Sequence, residues 1–248
     1  MTIKTITIPD VHGETTWRHV IPLANRFDKI VFLGDYADSF YHRDDEILQN
    51  LLKIIDFRKK HSGKVVLLLG NHDLHYIEPG NLNIRSTGFR RSMAGDLEKL
   101  FSENKEMFRV AFQIRSYLWT HAGLSATYVA ERLMPLMVSN SSYRTFYENR
   151  SLDLMLNAIY DSPDRDVLND IGRKRGGIHN RGGIFWADAT ETLSDPYPGW
   201  HQVVGHTKML ERQVIRFNES TGITYCETKS NENKFHELEI IIEDQDRG

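Results

Sequence analysis

Asp10 and His12, one residue apart in DVHG (10–13), can turn a carboxylate oxygen and an imidazole nitrogen toward one point. Asp35 adds a second carboxylate within GDYAD (34–38), Asn71 an amide oxygen within GNHD (70–73), and His121 and His206 two further imidazoles. Mixed oxygen and nitrogen donors suit Mn, Fe or Zn better than Ca, which prefers all-oxygen shells, and without thiolates a structural zinc site is not expected. Two such ions repel one another, so a shared anionic ligand is needed to hold them roughly 3.5–4 Å apart. Asp35, between the other two motifs in strand order, is the natural bridge. Each motif also has a plainer reading: Asp-x-His as a helix cap, Gly34, Gly70 and Asn71 as turn residues, His206 as a core histidine. Their accumulation is what favours chemistry.

The elements that must position these groups follow from periodicity. KTITIP (4–9) alternates β-branched residues with polar ones and reads as a strand. Residues 15–27 place Trp17, Val20, Ile21, Ala24 and Phe27 at helical spacing despite Pro22. KIVFLG (29–34) is a second strand, and residues 44–60 form a helix with an acidic start and a basic end, matching the helix dipole. KVVLLLG (64–70) completes a βαβαβ unit whose strands are continuously apolar, as in a parallel sheet covered on both faces. In such sheets the ligand crevice lies at the carboxyl ends of the strands, where all three polar motifs fall.

Beyond residue 108 the pattern changes. FRVAFQIRSYLWTHAG (108–123) reads as two strands ending at His121, with helices expected at about 125–138 and 142–158. A long irregular stretch, 161–183, is rich in glycine and arginine; loops of that length are usually functional. HQVVGHT, ERQVIRF, GITYCE and FHELEIIIE then suggest an antiparallel second sheet packed on the first.

Composition sets the frame. The 248 residues suit one large α/β domain, 1–248, with 40% apolar and 26% charged residues. No apolar run approaches the roughly 20 residues of a membrane helix, and the first residues read as a strand rather than a signal peptide. The single cysteine, Cys226, argues for a reducing, cytoplasmic setting. A net charge of −3 gives no general attraction to nucleic acid.

Asp10-x-His12, Gly34-Asp35-x-x-Asp38, Gly70-Asn71-His72-Asp73, His121-Ala122-Gly123 and Gly205-His206-Thr207 stand in the order found in calcineurin-like metallophosphoesterases. Any one of these is a weak signal, but five in order across residues 6–208 resemble that family closely. The resemblance implies a four-layer α/β/β/α sandwich of two central sheets, with a dimetal site at the edge where strands end. It implies that Asp10, His12 and Asp35 hold one metal and that Asp35, Asn71, His121 and His206 hold the second. His72 would protonate the leaving oxygen with Asp38 orienting it, while a water between the metals attacks phosphorus in line.

The ending Gly205-His206-Thr207-Lys208, with HAGL (121–124) and GIFWAD (183–188), is similar to the branch containing Ser/Thr protein phosphatases and bacterial diadenosine tetraphosphatases. That branch carries GDxxDR, whose arginine clamps phosphate. Here Ser39 stands in its place, and a serine makes no bidentate charged pair. Arg43, Arg85, Arg90, Arg175 and Arg181 are the candidate replacements. The expectation is hydrolysis of phosphomonoesters, whether phosphoprotein, nucleotide or small molecule, with dinucleoside polyphosphates as the alternative. A non-catalytic scaffold is disfavoured because all six ligands and His72 are present, and a nuclease because a GHxH ending is absent. Asp73 and His75 receive no firm task.

Overall fold

The structure is a computed structural model that describes residues 1–78, 80–81, 87–229 and 235–242. The first sheet has five strands in the order β10-β1-β2-β3-β4, formed by β1 (Thr2–Ile8), β2 (Lys29–Phe32), β3 (Val65–Leu68), β4 (Phe108–Arg109) and β10 (His236–Ile241). β1, β2, β3 and β4 run parallel, and β10 lies antiparallel against β1. Helix α1 (Asp44–Lys60) spans the residues its charge pattern predicts, burying Ile47, Leu51, Ile54 and Ile55. Helices α2 (Asn71–Ile77) and α3 (Arg91–Glu103) follow β3.

The 15–27 segment is a 3-10 helix, Thr16–Arg26, rather than an α-helix. Pro22 has no N–H to close an α-turn onto Arg18, and Trp17, Val20 and Ala24 are buried while Ile21 is 43% exposed. The helices expected after residue 125 are present but broken. Ala126–Tyr128 (α4) passes through a π-turn into Met134–Ser139 (α5), and Ser141–Glu148 (α6) is separated from Leu152–Tyr160 (α7) by Arg150 at a φ of 53°. The stretch 161–183 is built from two 3-10 turns, Pro163–Asn169 and Arg173–Arg175, and the chain then enters α8 (Ala189–Ser194).

The second sheet comprises β5 (Ala111–Ile114), β6 (Tyr117–Thr120), β7 (His201–Val204), β8 (Gln213–Arg216) and β9 (Gly222–Tyr225), in the order β5-β6-β7-β9-β8. It is mixed, which corrects the antiparallel expectation: β5–β6 and β8–β9 are antiparallel, but β6–β7 and β7–β9 are parallel. The crossover from β6 to β7 carries α4 to α8, and a connection of that length permits parallel pairing. The last strand, read from FHELEIIIE as part of the second sheet, instead joins the first.

Val31, Leu33, Leu68 and Ile240 of the first sheet pack against Phe112, Trp119, Val203 and Cys226 of the second. Trp119 Nε1 donates across that interface to Thr7 Oγ1 at 2.9 Å. The outer face of the first sheet is covered by residues of α1 and α3, such as Ile54 and Leu97, and Ala189 of α8 packs on Val204 and Tyr225 of the second. The result is a mixed α/β fold with two central sheets. No helix among the described residues is long and apolar enough to cross a membrane.

Candidate metal centre

The three parallel strands β1, β2 and β3 stop at Ile8, Phe32 and Leu68, and the polar motifs begin within two or three residues of each end. From the second sheet, β6 stops at Thr120 before His121, and β7 stops at Val204 before Gly205-His206. The backbone bends sharply at these exits. Of six non-glycine residues with positive φ among the described residues, His12, Asp35, Asp38 and His206 are four, at 43°, 52°, 58° and 61°. Such conformations cost on the order of 1 kcal/mol or more each and persist where surrounding contacts enforce them, commonly at functional sites.

Close packing of backbone against carboxylate explains two glycines. A Cβ on Gly70 would stand 2.2 Å from Asp35 Oδ1 and 2.6 Å from the Asp35 backbone nitrogen. A Cβ on Gly205 would stand 2.2 Å from Asp10 Oδ1. Both glycines let a neighbouring strand end approach within side-chain distance.

The six candidate ligands converge. Asp35 Oδ2 is 3.5 Å from His12 Nε2 and 3.5 Å from His121 Nε2. His121 Nε2 is also 2.9 Å from Asn71 Oδ1 and 3.2 Å from His206 Nδ1. The other ring nitrogens are anchored: His121 Nδ1 bonds the Leu33 carbonyl at 2.8 Å, and His12 Nδ1 those of Ala37 and Asp38 at 3.1 Å. A proton on Nδ1 leaves Nε2 with a lone pair, the arrangement found in metal-binding histidines. Asp10 is fixed by the backbone N–H of His206, which donates to Oδ1 at 3.0 Å and Oδ2 at 3.2 Å.

The electrostatics fit cation binding. Burial opposes a charge on Asp35, yet His121, His72 and His12 hold its carboxyl below the usual range. Burial, then the neighbouring His121 and Arg175, push His206 well below the ordinary histidine value. His206 Nε2 is buried with no hydrogen-bond partner among the described residues. Among the described residues, Asp10/Asp35/His121 and His12/Asp35/His72 each bring carboxylate and imidazole atoms within 4.8 Å of one another, and the two groups share Asp35. The donor set therefore fits divalent metal.

Beside this centre His72 Nδ1 is 2.8 Å from Asp38 Oδ2. Burial opposes protonation of His72, but Asp35 and then Asp38 raise it to about 9. Asp38 is itself held by groups that sequence reasoning left without a task. His75 Nε2 lies 2.9 Å from the same Oδ2, and the Tyr76 hydroxyl donates to Oδ1. Asp73 is the larger omission. Its Oδ2 accepts from the backbone N–H of Asp35 at 2.8 Å and Gly70 at 2.9 Å, and its Oδ1 accepts from Tyr36 at 2.8 Å and Ala37 at 3.1 Å. The available signal was its position: a carboxylate at the third residue of a short helix caps the turn before it, here α2.

Four of the five candidate arginines fall among the described residues and separate clearly. Arg175 donates to Thr207 Oγ1 at 2.6 Å and pairs with Asp188 at 3.0 Å, which puts it against the His206 loop. Arg90 is committed elsewhere: it donates to the Ser39 carbonyl, to the His42 carbonyl at 2.9 Å and to Asp44 at 2.7 Å. Arg43 is exposed and pairs with Asp45, and Arg181 lies 3.8 Å from Asp195 beside a separate cavity with Tyr128 and Arg132. Arg85 lies outside the described residues. Ser39 Oγ accepts from the backbone N–H of Tyr41 and His42, both at 3.2 Å, and so serves its own turn.

A cavity of about 560 Å³ opens on Asp10, His12, Asp38 and His72. A family model described as calcineurin-like phosphoesterase matches residues 3–226. Among solved structures, the chain is similar to a metallophosphoesterase from Sphaerobacter thermophilus, at 13% identity over 91% of this chain and 76% of that one, with a TM-score of 0.42. It is also similar to a protein serine/threonine phosphatase from Saccharomyces cerevisiae, at 21% identity over 49% of this chain, with a TM-score of 0.35. The matched region spans 38% of the yeast protein's length. No curated protein matches the chain.

Proposed function

The chain belongs to the calcineurin-like phosphoesterase family, whose members are metal-dependent phosphoester hydrolases, and from that premise we propose that it is a dinuclear phosphomonoesterase. In this reading residues 1–248 act as one unit. Asp10, His12 and Asp35 hold one divalent ion, and Asp35, Asn71, His121 and His206 hold the other, drawn from Mn, Fe or Zn. When bound, these ions would supply activation of water near neutral pH and Lewis-acid stabilisation of charge on the phosphoryl group.

The chain's own groups do the rest. Asp35 presents Oδ2 to both histidine-bearing strand ends while its Oδ1 accepts from the His72 backbone N–H at 2.9 Å, so the bridging carboxylate has one fixed orientation. Asp38 holds His72 by Nδ1, and the ring then keeps Nε2 as its second proton-bearing atom. A histidine protonated at neutral pH and lining the cavity can give that proton to a departing alkoxide, which cannot leave unprotonated. Arg175, next to the His206 loop, is of the four described candidates the arginine best placed to answer for the serine at position 39.

The observation that carries the reading is the 2.8 Å His72–Asp38 contact beside the shared carboxylate Asp35. His72→Asn tests it. The variant should keep its metal content and lose on the order of 10²–10³ in kcat on glycerol 2-phosphate, an effect of the size typical for a lost general acid. On p-nitrophenyl phosphate, whose leaving group needs no proton, the loss should be far smaller. Equal losses on both substrates would remove His72 from the acid role.

A further inference from the structure

The cavity does not end at the reacting centre. Its rim carries Phe40 and Tyr41, which are 83% and 89% exposed. Adjacent aromatic side chains this bare are uncommon on a soluble protein unless something covers them. The turn that displays them is pinned on both sides, because Ser39 Oγ accepts from the N–H groups of Tyr41 and His42 while Arg90 donates to the carbonyls of Ser39 and His42. The pair is therefore held out by a braced backbone.

Spacing limits what it can meet. Phe40 is two residues from Asp38, the carboxylate that holds His72, so its Cα lies within about 7 Å of that residue's Cα. This is the span from a phosphoryl group across a pentose to a base. A phosphoserine brings no ring to the rim, and a phosphotyrosine ring is joined directly to the phosphate and stays at the reacting centre. The cavity is also lined by Lys208, 3.9 Å from Glu227, and by Lys229, whose positive charges suit an anionic ligand.

We infer that the cavity takes a nucleoside monophosphate, with the base stacked on Phe40 and Tyr41; the inference rests on the hydrolase reading above. The water oxygen bonds to phosphorus as the bond from phosphorus to the 5′ oxygen breaks. The 5′ oxygen takes a proton from His72, and the water's proton passes to solvent and restores the acid. Nucleoside and inorganic phosphate leave.

The test compares AMP with glycerol 2-phosphate on the Mn-supplemented protein and on the F40A/Y41A double variant. Wild type should favour AMP by at least about tenfold in kcat/KM. In the double variant the ratio of the two kcat/KM values should fall about tenfold, mostly through KM for AMP, the range expected for loss of base stacking. Tyr41→Phe should preserve the ratio. Absence of any preference in wild type, or equal effects on both substrates, overturns the inference. If neither ester turns over, the hydrolase reading fails, and calorimetric titration of AMP decides the subsite alone: a Kd weakened about tenfold in the double variant supports it, and an unchanged Kd overturns it.

Discussion

The backbone N–H of Asp35 donates to Asp73 Oδ2 at 2.8 Å, so the carboxylate of the third strand end fixes the main chain that carries Asp35 at the second. Together with its bonds from Gly70, Tyr36 and Ala37, Asp73 ties two loops into one rigid piece without touching the centre of the ligand cluster.

Asp73→Ala should therefore damage both stability and metal retention. Four buried N–H groups lose their acceptor, a loss of about 3 kcal/mol or more. Urea denaturation should show a lowered midpoint, and metal analysis after dialysis should show depleted ions. A variant with wild-type stability and full metal content would deny Asp73 this role.

Two glycine substitutions should behave differently. At Gly70 an added Cβ meets the Asp35 backbone, which has no room to yield, so Gly70→Ala should unfold the protein at a markedly lower temperature. At Gly205 it meets only the tip of the Asp10 side chain. Gly205→Ala should change the melting temperature little and weaken metal binding by about 10–100-fold, as lost orientation of a ligand does. Metal titration alongside thermal denaturation separates the two outcomes.

Arg175→Ala should raise KM for phosphomonoesters by about tenfold, the size of one lost charge-assisted hydrogen bond. Arg90→Ala should instead lower stability by about 1–2 kcal/mol, since its guanidinium braces the 39–44 turn. Steady-state kinetics and denaturation on both variants would reveal a reversal of these assignments.

His236 is neutral in the fold: burial, then the positive charge of Arg212, push it down to about 4. The unfolded chain takes up that proton once pH drops below about 6.5. Stability from this group is thus complete above pH 6.5 and drains away as pH falls toward 4, by up to about 3 kcal/mol. His236→Gln should flatten the difference in urea midpoint between pH 7 and pH 5; an unchanged difference would show that His236 does not set it.

Much of this was legible from residue type and spacing. The apolar runs ending in Gly34 and Gly70 specify parallel strands with polar exits, and α1 carries its limits in its charges. The second sheet was harder because alternation tells which face a strand buries but not which neighbour it takes; β10 reads like its predecessors and pairs with β1 on the far side of the molecule. Asp73 and His75 were only partly legible for a related reason. The bond from Gly70 to Asp73 is local, but the other partners, the N–H groups of Asp35, Tyr36 and Ala37 and the Asp38 carboxylate, lie more than thirty residues away, and only the fold brings them near. Arg90 and Arg175 look alike in the sequence and are told apart by what they touch.

The contact from the His206 backbone to Asp10 joins residues 196 positions apart, and β1, which carries Asp10, gains its outer neighbour only from β10. During synthesis the first ligands emerge long before the last. A nascent chain that has made its whole βαβαβ unit and Asn71 still lacks His121 and His206, so the candidate centre is incomplete until translation has passed His206. Assembly of the candidate centre is in this way a late event, coupled to arrival of the second sheet rather than to folding of the first half of the chain.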